Sequence, residues 1–119
     1  MNIEVFRDYC ISKALTTESM PFDDDILVFK VNGKIFALIS TYNPDSCNLK
    51  CDPEKAITLR EEYMAVQPGF HQNKKHWNTV TFNQDVSDQL LLELVDHSYE
   101  MVIKTFSKKV QKSLFNYGD

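Results

Sequence analysis

The stretch Ile26-Leu27-Val28-Phe29-Lys30-Val31-Asn32-Gly33-Lys34-Ile35-Phe36-Ala37-Leu38-Ile39 sets Asn-Gly between two runs rich in β-branched and aromatic residues. Asn and Gly accept the two positive-φ positions of a type I′ turn, whose twist matches that of paired strands. The stretch therefore predicts a hairpin of strands 26–31 and 34–42 joined by two residues. Such a turn sets Val31 opposite Lys34, Phe29 opposite Phe36 and Leu27 opposite Leu38, a face of cross-strand apolar pairs. The other face would carry Val28, Lys30, Ile35, Ala37 and Ile39, too apolar for open solvent, so a helix or a partner is expected over it.

Upstream, Ile3, Phe6, Cys10 and Ala14 recur at helical spacing and predict an amphipathic helix over 2–14, with Cys10 a small buried hydrophobe. Met20-Pro21-Phe22 reads as a short extended piece. Downstream, 46–51 reads as a third long strand, and Asp52-Pro53 supplies a helix cap and a proline at the first helical position. That helix runs to about Tyr63, burying Ala56, Leu59 and Tyr63, and stops before Gln67-Pro68-Gly69. A strand over 77–82 follows. From Asp88 to about Phe106 a long helix sets Leu91, Leu94, Val95, Val102 and Phe106 on one side, and 108–115 either extends it or forms a separate short helix.

The chain has no Pro/Ser-rich linker, repeat or low-complexity segment, so 1–119 is expected to be a single α+β domain. Two layers are expected: an antiparallel sheet of about five strands with helices packed against it. A domain of this size buries somewhat over 60% of its unfolded surface, so neither metal nor disulfide is needed to hold it, and no cofactor is expected. Three cysteines and an amino terminus without a basic segment leading into an apolar one point to a reducing, cytoplasmic setting. No apolar run approaches membrane-spanning length, so no membrane partner is expected.

The net charge of −4 argues against wholesale attraction to nucleic acid, but its distribution is uneven. Acidic residues gather in Asp23-Asp24-Asp25 and along Asp85, Asp88, Glu93, Asp96 and Glu100. Lys104, Lys108, Lys109 and Lys112 form a basic tail. Lys104, Lys108 and Lys112 would share one face of a continuous helix, a ridge able to follow a phosphate backbone or simply a solvated surface that complements the helix dipole.

The segment His71-Gln72-Asn73-Lys74-Lys75-His76-Trp77 crowds two histidines, two lysines and the only tryptophan into one loop. Lys74, Lys75 and His71 suit phosphate contact, and a Trp77 stacking face is worth about 1–3 kcal/mol per base in single-strand binders. The competing reading is structural: a tryptophan opening a strand anchors a core, and Asn73 and His76 can hydrogen-bond a long loop to its own backbone.

Catalysis and metal binding find little support. Cys47 and Cys51 with His71 and His76 have the letters of a zinc site, yet on one strand the cysteines stand about 13 Å apart, too far for one ion. The same distance forbids a disulfide. Asp96, His97 and Ser98 have the letters of a catalytic triad, but consecutive helical residues point about 100° apart and cannot converge. Tyr99 is expected in the core or anchored by its hydroxyl. No nucleophile elbow and no phosphate-binding glycine loop is present.

Four segments carry a resemblance spanning nearly the whole chain: Gly33-Lys34-Ile35-Phe36-Ala37-Leu38; Lys50-Cys51-Asp52-Pro53-Glu54-Lys55-Ala56 with Leu59-Arg60; Gly69-Phe70-His71-Gln72-Asn73-Lys74-Lys75-His76-Trp77; and Leu94-Val95-Asp96-His97-Ser98-Tyr99. Together they resemble the MmcQ/YjbR family of small bacterial proteins, the Asn-Lys-x-His-Trp core after a Pro-Gly turn being the most specific. The resemblance implies a layout related to secretion-chaperone-like folds and likened to the double-wing DNA-binding domain of a phage transcription factor. The family is commonly labelled DNA-binding on that basis, a fold-level analogy, and brings no agreed substrate, cofactor or catalytic residue. The run Asp23-Asp24-Asp25 is heavier than the small residue usual after Pro-Phe, which argues against phosphate contact on that edge.

Two binding functions follow. In the first, His71, Asn73, Lys74, Lys75, His76 and Trp77, with Lys108, Lys109 and Lys112, contact DNA. In the second, the sheet face of Val28, Ile35, Ala37 and Ile39 engages a protein partner or a second copy of the chain. No enzymatic activity is expected.

Overall fold

The computed structural model describes residues 1–22, 25–69 and 73–115. Ten elements follow in chain order: α1 (Ile3–Ser12), β1 (Thr16–Ser19), β2 (Ile26–Val31), β3 (Lys34–Ser40), β4 (Ser46–Lys50), α2 (Pro53–Glu62), β5 (Val66–Pro68), β6 (Trp77–Thr81), α3 (Asp88–Ile103) and α4 (Lys108–Phe115). The strands form one antiparallel sheet in the order β1-β2-β3-β4-β6-β5.

The sheet has six strands rather than five, and the difference lies at its edges. β1 is the polar run Thr16-Thr17-Glu18-Ser19, which carries no apolar alternation; Met20-Pro21-Phe22, expected as a short extended piece, forms no strand and bends after it. β5 is three residues long and ends on Pro68, tolerable on an edge strand because no neighbour needs its missing N–H.

Asn32 and Gly33 both take positive φ, 48° and 79°, as the type I′ turn requires. The expected register holds for only two pairs, Val31 with Lys34 and Lys30 with Ile35. A bulge then inserts Phe36 as an extra residue, so Phe29 pairs with Ala37, Val28 with Leu38 and Leu27 with Ile39. A one-residue slip exchanges the faces of everything beyond it. Ala37 and Ile39 therefore join Leu27, Phe29 and Phe36 in the core, and the Phe29 and Phe36 rings remain neighbours at 6.5 Å. The apolar face expected of Val28, Ile35, Ala37 and Ile39 does not exist as an exposed surface: Val28, Ala37 and Ile39 are all buried within the chain.

One core joins the layers: Phe6 and Cys10 of α1, Ala56 and Leu59 of α2, and Leu91, Leu94, Val95 and Val102 of α3 close on the inward residues of β2, β3, β4 and β6. Cys10 is buried as expected. The long helix ends at Ile103, and α4 is separate: Ser107 caps it, its hydroxyl accepting the Val110 N–H at 3.1 Å. Lys104 and Lys108 thus stand on either side of a break, and the expected lysine ridge is not one continuous helical face.

The strands define two ends of the molecule. At one, β2 turns into β3, β4 runs out at Lys50 and β6 begins at Trp77; at the other lie Ile26, Ser40, Ser46 and Thr81.

Candidate nucleic-acid interface

Gly69 and residues 73–77 are tied down by backbone hydrogen bonds. Gly69 donates its N–H to the Trp77 carbonyl at 2.9 Å, and the Cys51 N–H reaches the His76 carbonyl at 2.7 Å. Gly69 permits this closeness: a β-carbon there would lie 2.8 Å from Trp77 Cβ. Asn73 turns the chain on itself, its Oδ1 accepting the Lys75 N–H at 2.9 Å and its carbonyl the His76 N–H at 3.1 Å. Asn73 therefore acts as the structural reading expected. Trp77 and His76 are half-buried, and Lys74 and Lys75 are exposed. His71, also expected at this site, lies outside the described residues.

The residue that organises the loop is Arg60 of α2. Its Nε donates to Asn78 Oδ1 at 2.6 Å, and one terminal nitrogen donates to the carbonyls of Lys74 and, at 3.3 Å, Trp77. A planar fork can hold divergent acceptors at once, which an ammonium on a flexible stem does poorly. Nothing in the sequence assigned Arg60 a task; the available signal was an arginine beside the buried Leu59 on a helix that precedes the loop.

A second joint lies on α3, where Asp96-His97-Ser98-Tyr99 each reach a different partner. Asp96 accepts the Tyr9 hydroxyl at 2.7 Å and pairs with Lys13, both on or beside α1. His97 Nε2 accepts the Asp52 N–H at the start of α2 at 3.1 Å. The Ser98 hydroxyl accepts the Lys50 N–H at 2.8 Å and donates to the Phe36 carbonyl at 2.5 Å. Tyr99 donates to the Ala14 carbonyl at 2.6 Å. The letters of a triad thus diverge, as helical geometry requires, and Tyr99 is hydroxyl-anchored.

These contacts shift the groups concerned. The hydrogen bond to Asp96 raises the Tyr9 hydroxyl to about 12. Burial, reinforced by Lys55, holds His97 below the usual imidazole range, while Asp52 and Glu100 pull the other way. Burial lifts the Cys51 thiol to about 11, and Cys47 and Cys10 also sit well above the ordinary range, so all three stay protonated and inert.

Lys34, Lys50 and the Lys74-Lys75 loop stand at the same end of the sheet. Lys34 follows the β2–β3 turn, its Nζ 3.3 Å from Thr105 Oγ1 and over the Phe106 ring, which ties that turn to the segment joining α3 and α4. Lys50 closes β4 opposite Trp77, and the Lys74-Lys75 loop leads into β6. β3 and β6 flank β4, so their backbones lie roughly 10 Å apart. Lys108, Lys109 and Lys112 are exposed on α4. Among the described residues, the ion pairs are Met1–Asp88, Arg7–Glu18 and Lys13–Asp96. None involves Lys34, Lys50, Lys74, Lys75, Lys104 or the α4 lysines. No cluster of metal-ligating side chains occurs among the described residues, and no helix is long and apolar enough to cross a membrane.

A family model described as YjbR matches residues 11–101. YbdF of Escherichia coli O157:H7 is 39% identical over 93 residues, covering 77% of this chain and 76% of that protein. YjbR of E. coli strain K12 is 31% identical over 115 residues, 96% of this chain and 98% of its own. Both bear the description uncharacterised. The crystal structure of Deinococcus radiodurans DR2400, a DUF419 domain, superposes with a TM-score of 0.89 at 39% identity over 94% of this chain and 86% of that one. A Pseudomonas syringae protein superposes at 0.73 with 29% identity over 85% of this chain and 98% of its own.

Proposed function

The chain belongs to the YjbR family, and from that premise we propose that its lysine-bearing end binds nucleic acid. The observation that carries the reading is the separation of charge. The ion pairs between described residues lie around α1 and the amino terminus, whereas Lys34, Lys50, Lys74 and Lys75 take part in none and crowd one end of the sheet. Lysines without carboxylate partners attract phosphates, and this local field survives a net charge of −4 because screening makes distant acids count for little. The Arg60 clamp favours the same end: it fixes the backbone under Lys74 and Lys75, so less loop entropy is lost on binding. The half-exposed Trp77 offers a stacking edge beside them.

The test is fluorescence anisotropy of labelled single- and double-stranded DNA at two salt concentrations, with wild type beside Lys74→Ala/Lys75→Ala. Micromolar or tighter binding is expected, falling with salt at a log–log slope of roughly −3 to −5 and weakened in the double variant. An absence of binding at low salt would remove the proposal.

A further inference from the structure

The opposite end of the sheet carries a different surface, and we infer that it docks a positively charged protein segment bearing an apolar anchor. Three of the most exposed large apolar side chains in the molecule stand there on separate loops: Phe22 at 65%, Tyr42 at 80% and Met64 at 84%. The loops adjoin one another. The Thr41 N–H meets the Asp25 carbonyl at 2.7 Å, the Phe82 N–H the Asp45 carbonyl at 2.8 Å, and the Thr81 N–H the Ala65 carbonyl at 2.9 Å.

Two of these side chains are displayed on pinned backbone. The Met64 N–H is held by Asp85 Oδ2 at 2.7 Å and the next N–H, of Ala65, by Oδ1 at 2.8 Å. Tyr42 and Asn43 donate their N–H groups to Ser40 Oγ at 3.2 and 3.0 Å. A fixed backbone under a bare aromatic or thioether side chain is the arrangement in which little ordering entropy opposes binding, and Tyr, Phe and Met are the types enriched in interface cores. From β1 to β5 the end spans five strand spacings, roughly 24 Å, close to the width of a standard protein interface.

The same end opens a groove of about 610 Å³ between α1 and the first strands, with Ile3, Met20 and Leu27 offering apolar walls and Glu4 and Asp8 an acidic rim. Among the described residues that line it, the one cation, Arg7, is already paired with Glu18. With Asp45 and Asp85 also exposed on the adjoining loops, the surface is apolar within and negative around, which selects lysine or arginine flanking an apolar side chain and repels the polyanion proposed for the far end. The two surfaces lie at opposite ends of the strands, so both can be occupied together.

The probe is a fluorescent synthetic peptide of four lysines interleaved with leucine and phenylalanine, unrelated in sequence to this chain, titrated against the full chain at low and moderate salt. Binding is expected, weakened by about fivefold or more in Tyr42→Ala/Met64→Ala and in Glu4→Lys/Asp8→Lys, and unchanged in Lys74→Ala/Lys75→Ala. All the substituted side chains are exposed or line the groove, and unfolding midpoints verify that each variant folds. Absence of binding at low salt, or equal binding by the acid-end variants, overturns the inference. So does self-association of the unlabelled chain in sedimentation, lost on substituting Lys108, Lys109 and Lys112, because the occupant would then be a second copy. DNA binding, measured separately, bears on the lysine end alone.

Discussion

Ser98 of α3 is spliced into the sheet: its hydroxyl accepts the Lys50 N–H at 2.8 Å and passes a hydrogen bond to the Phe36 carbonyl at 2.5 Å. Phe36 is the extra residue of the bulge, and Lys50 closes β4 beyond the last direct pair, Ala37 with Leu49. A fully buried helical hydroxyl thus completes the ladder where the strands alone fall short.

Ser98→Ala removes the bridge and leaves a buried donor and acceptor facing each other without a partner. A loss of about 1–3 kcal/mol is expected, read as a lower urea midpoint at unchanged m-value. An unchanged midpoint would mean that the two strands close the gap themselves.

Arg60→Lys keeps the charge but cannot serve Asn78, Lys74 and Trp77 together. Amide exchange at Lys75, His76 and Trp77 is expected to accelerate while exchange in α3 does not. Unaltered exchange in the loop would show that Asn73 and Gly69 suffice to hold it.

Gly69→Ala sets a methyl group 2.8 Å from Trp77 Cβ and 3.1 Å from its carbonyl carbon and oxygen. Strand β6 must shift, at a cost of about 1–3 kcal/mol, with a change in the fluorescence of the only tryptophan. An alanine variant with wild-type stability and emission would contradict the contact.

His97 accepts a backbone hydrogen bond only when Nε2 is unprotonated, in keeping with its lowered pKa. The folded state binds the proton less readily than the unfolded chain, so the contribution is complete above the unfolded value near pH 6.5. It is lost as pH falls from there through the lower folded value. Denaturation between pH 7 and 5 should show falling stability in wild type and a flatter profile in His97→Gln, whose side-chain oxygen can accept the same N–H without titrating. Identical slopes would place the titration elsewhere.

The hairpin was legible because Asn32-Gly33 encodes its turn locally, and α2 because Asp52-Pro53 marks its start and the Asp52 carboxylate accepts the Lys55 N–H. The faces of β3 beyond Ile35 were not, because the bulge at Phe36 answers to the helix packed above it rather than to any turn residue. β1 and β5 escaped notice because edge strands need no apolar alternation. Of the candidate site, the lysines could be read as cations, but their shared end emerges only from strand order, and the clamp by Arg60 joins residues 14 to 18 positions apart.

Asp96, His97, Ser98 and Tyr99 address α1, the start of α2, the β3–β4 seam and the turn after α1 in successive steps of about 100°. What the chain specifies there is rotational phase rather than four separate contacts. Each residue can be exchanged singly at the cost of one joint. Deleting or inserting a single residue earlier in α3 would turn all four away from their partners in one stroke, so this part of the chain admits substitution but not a change of length.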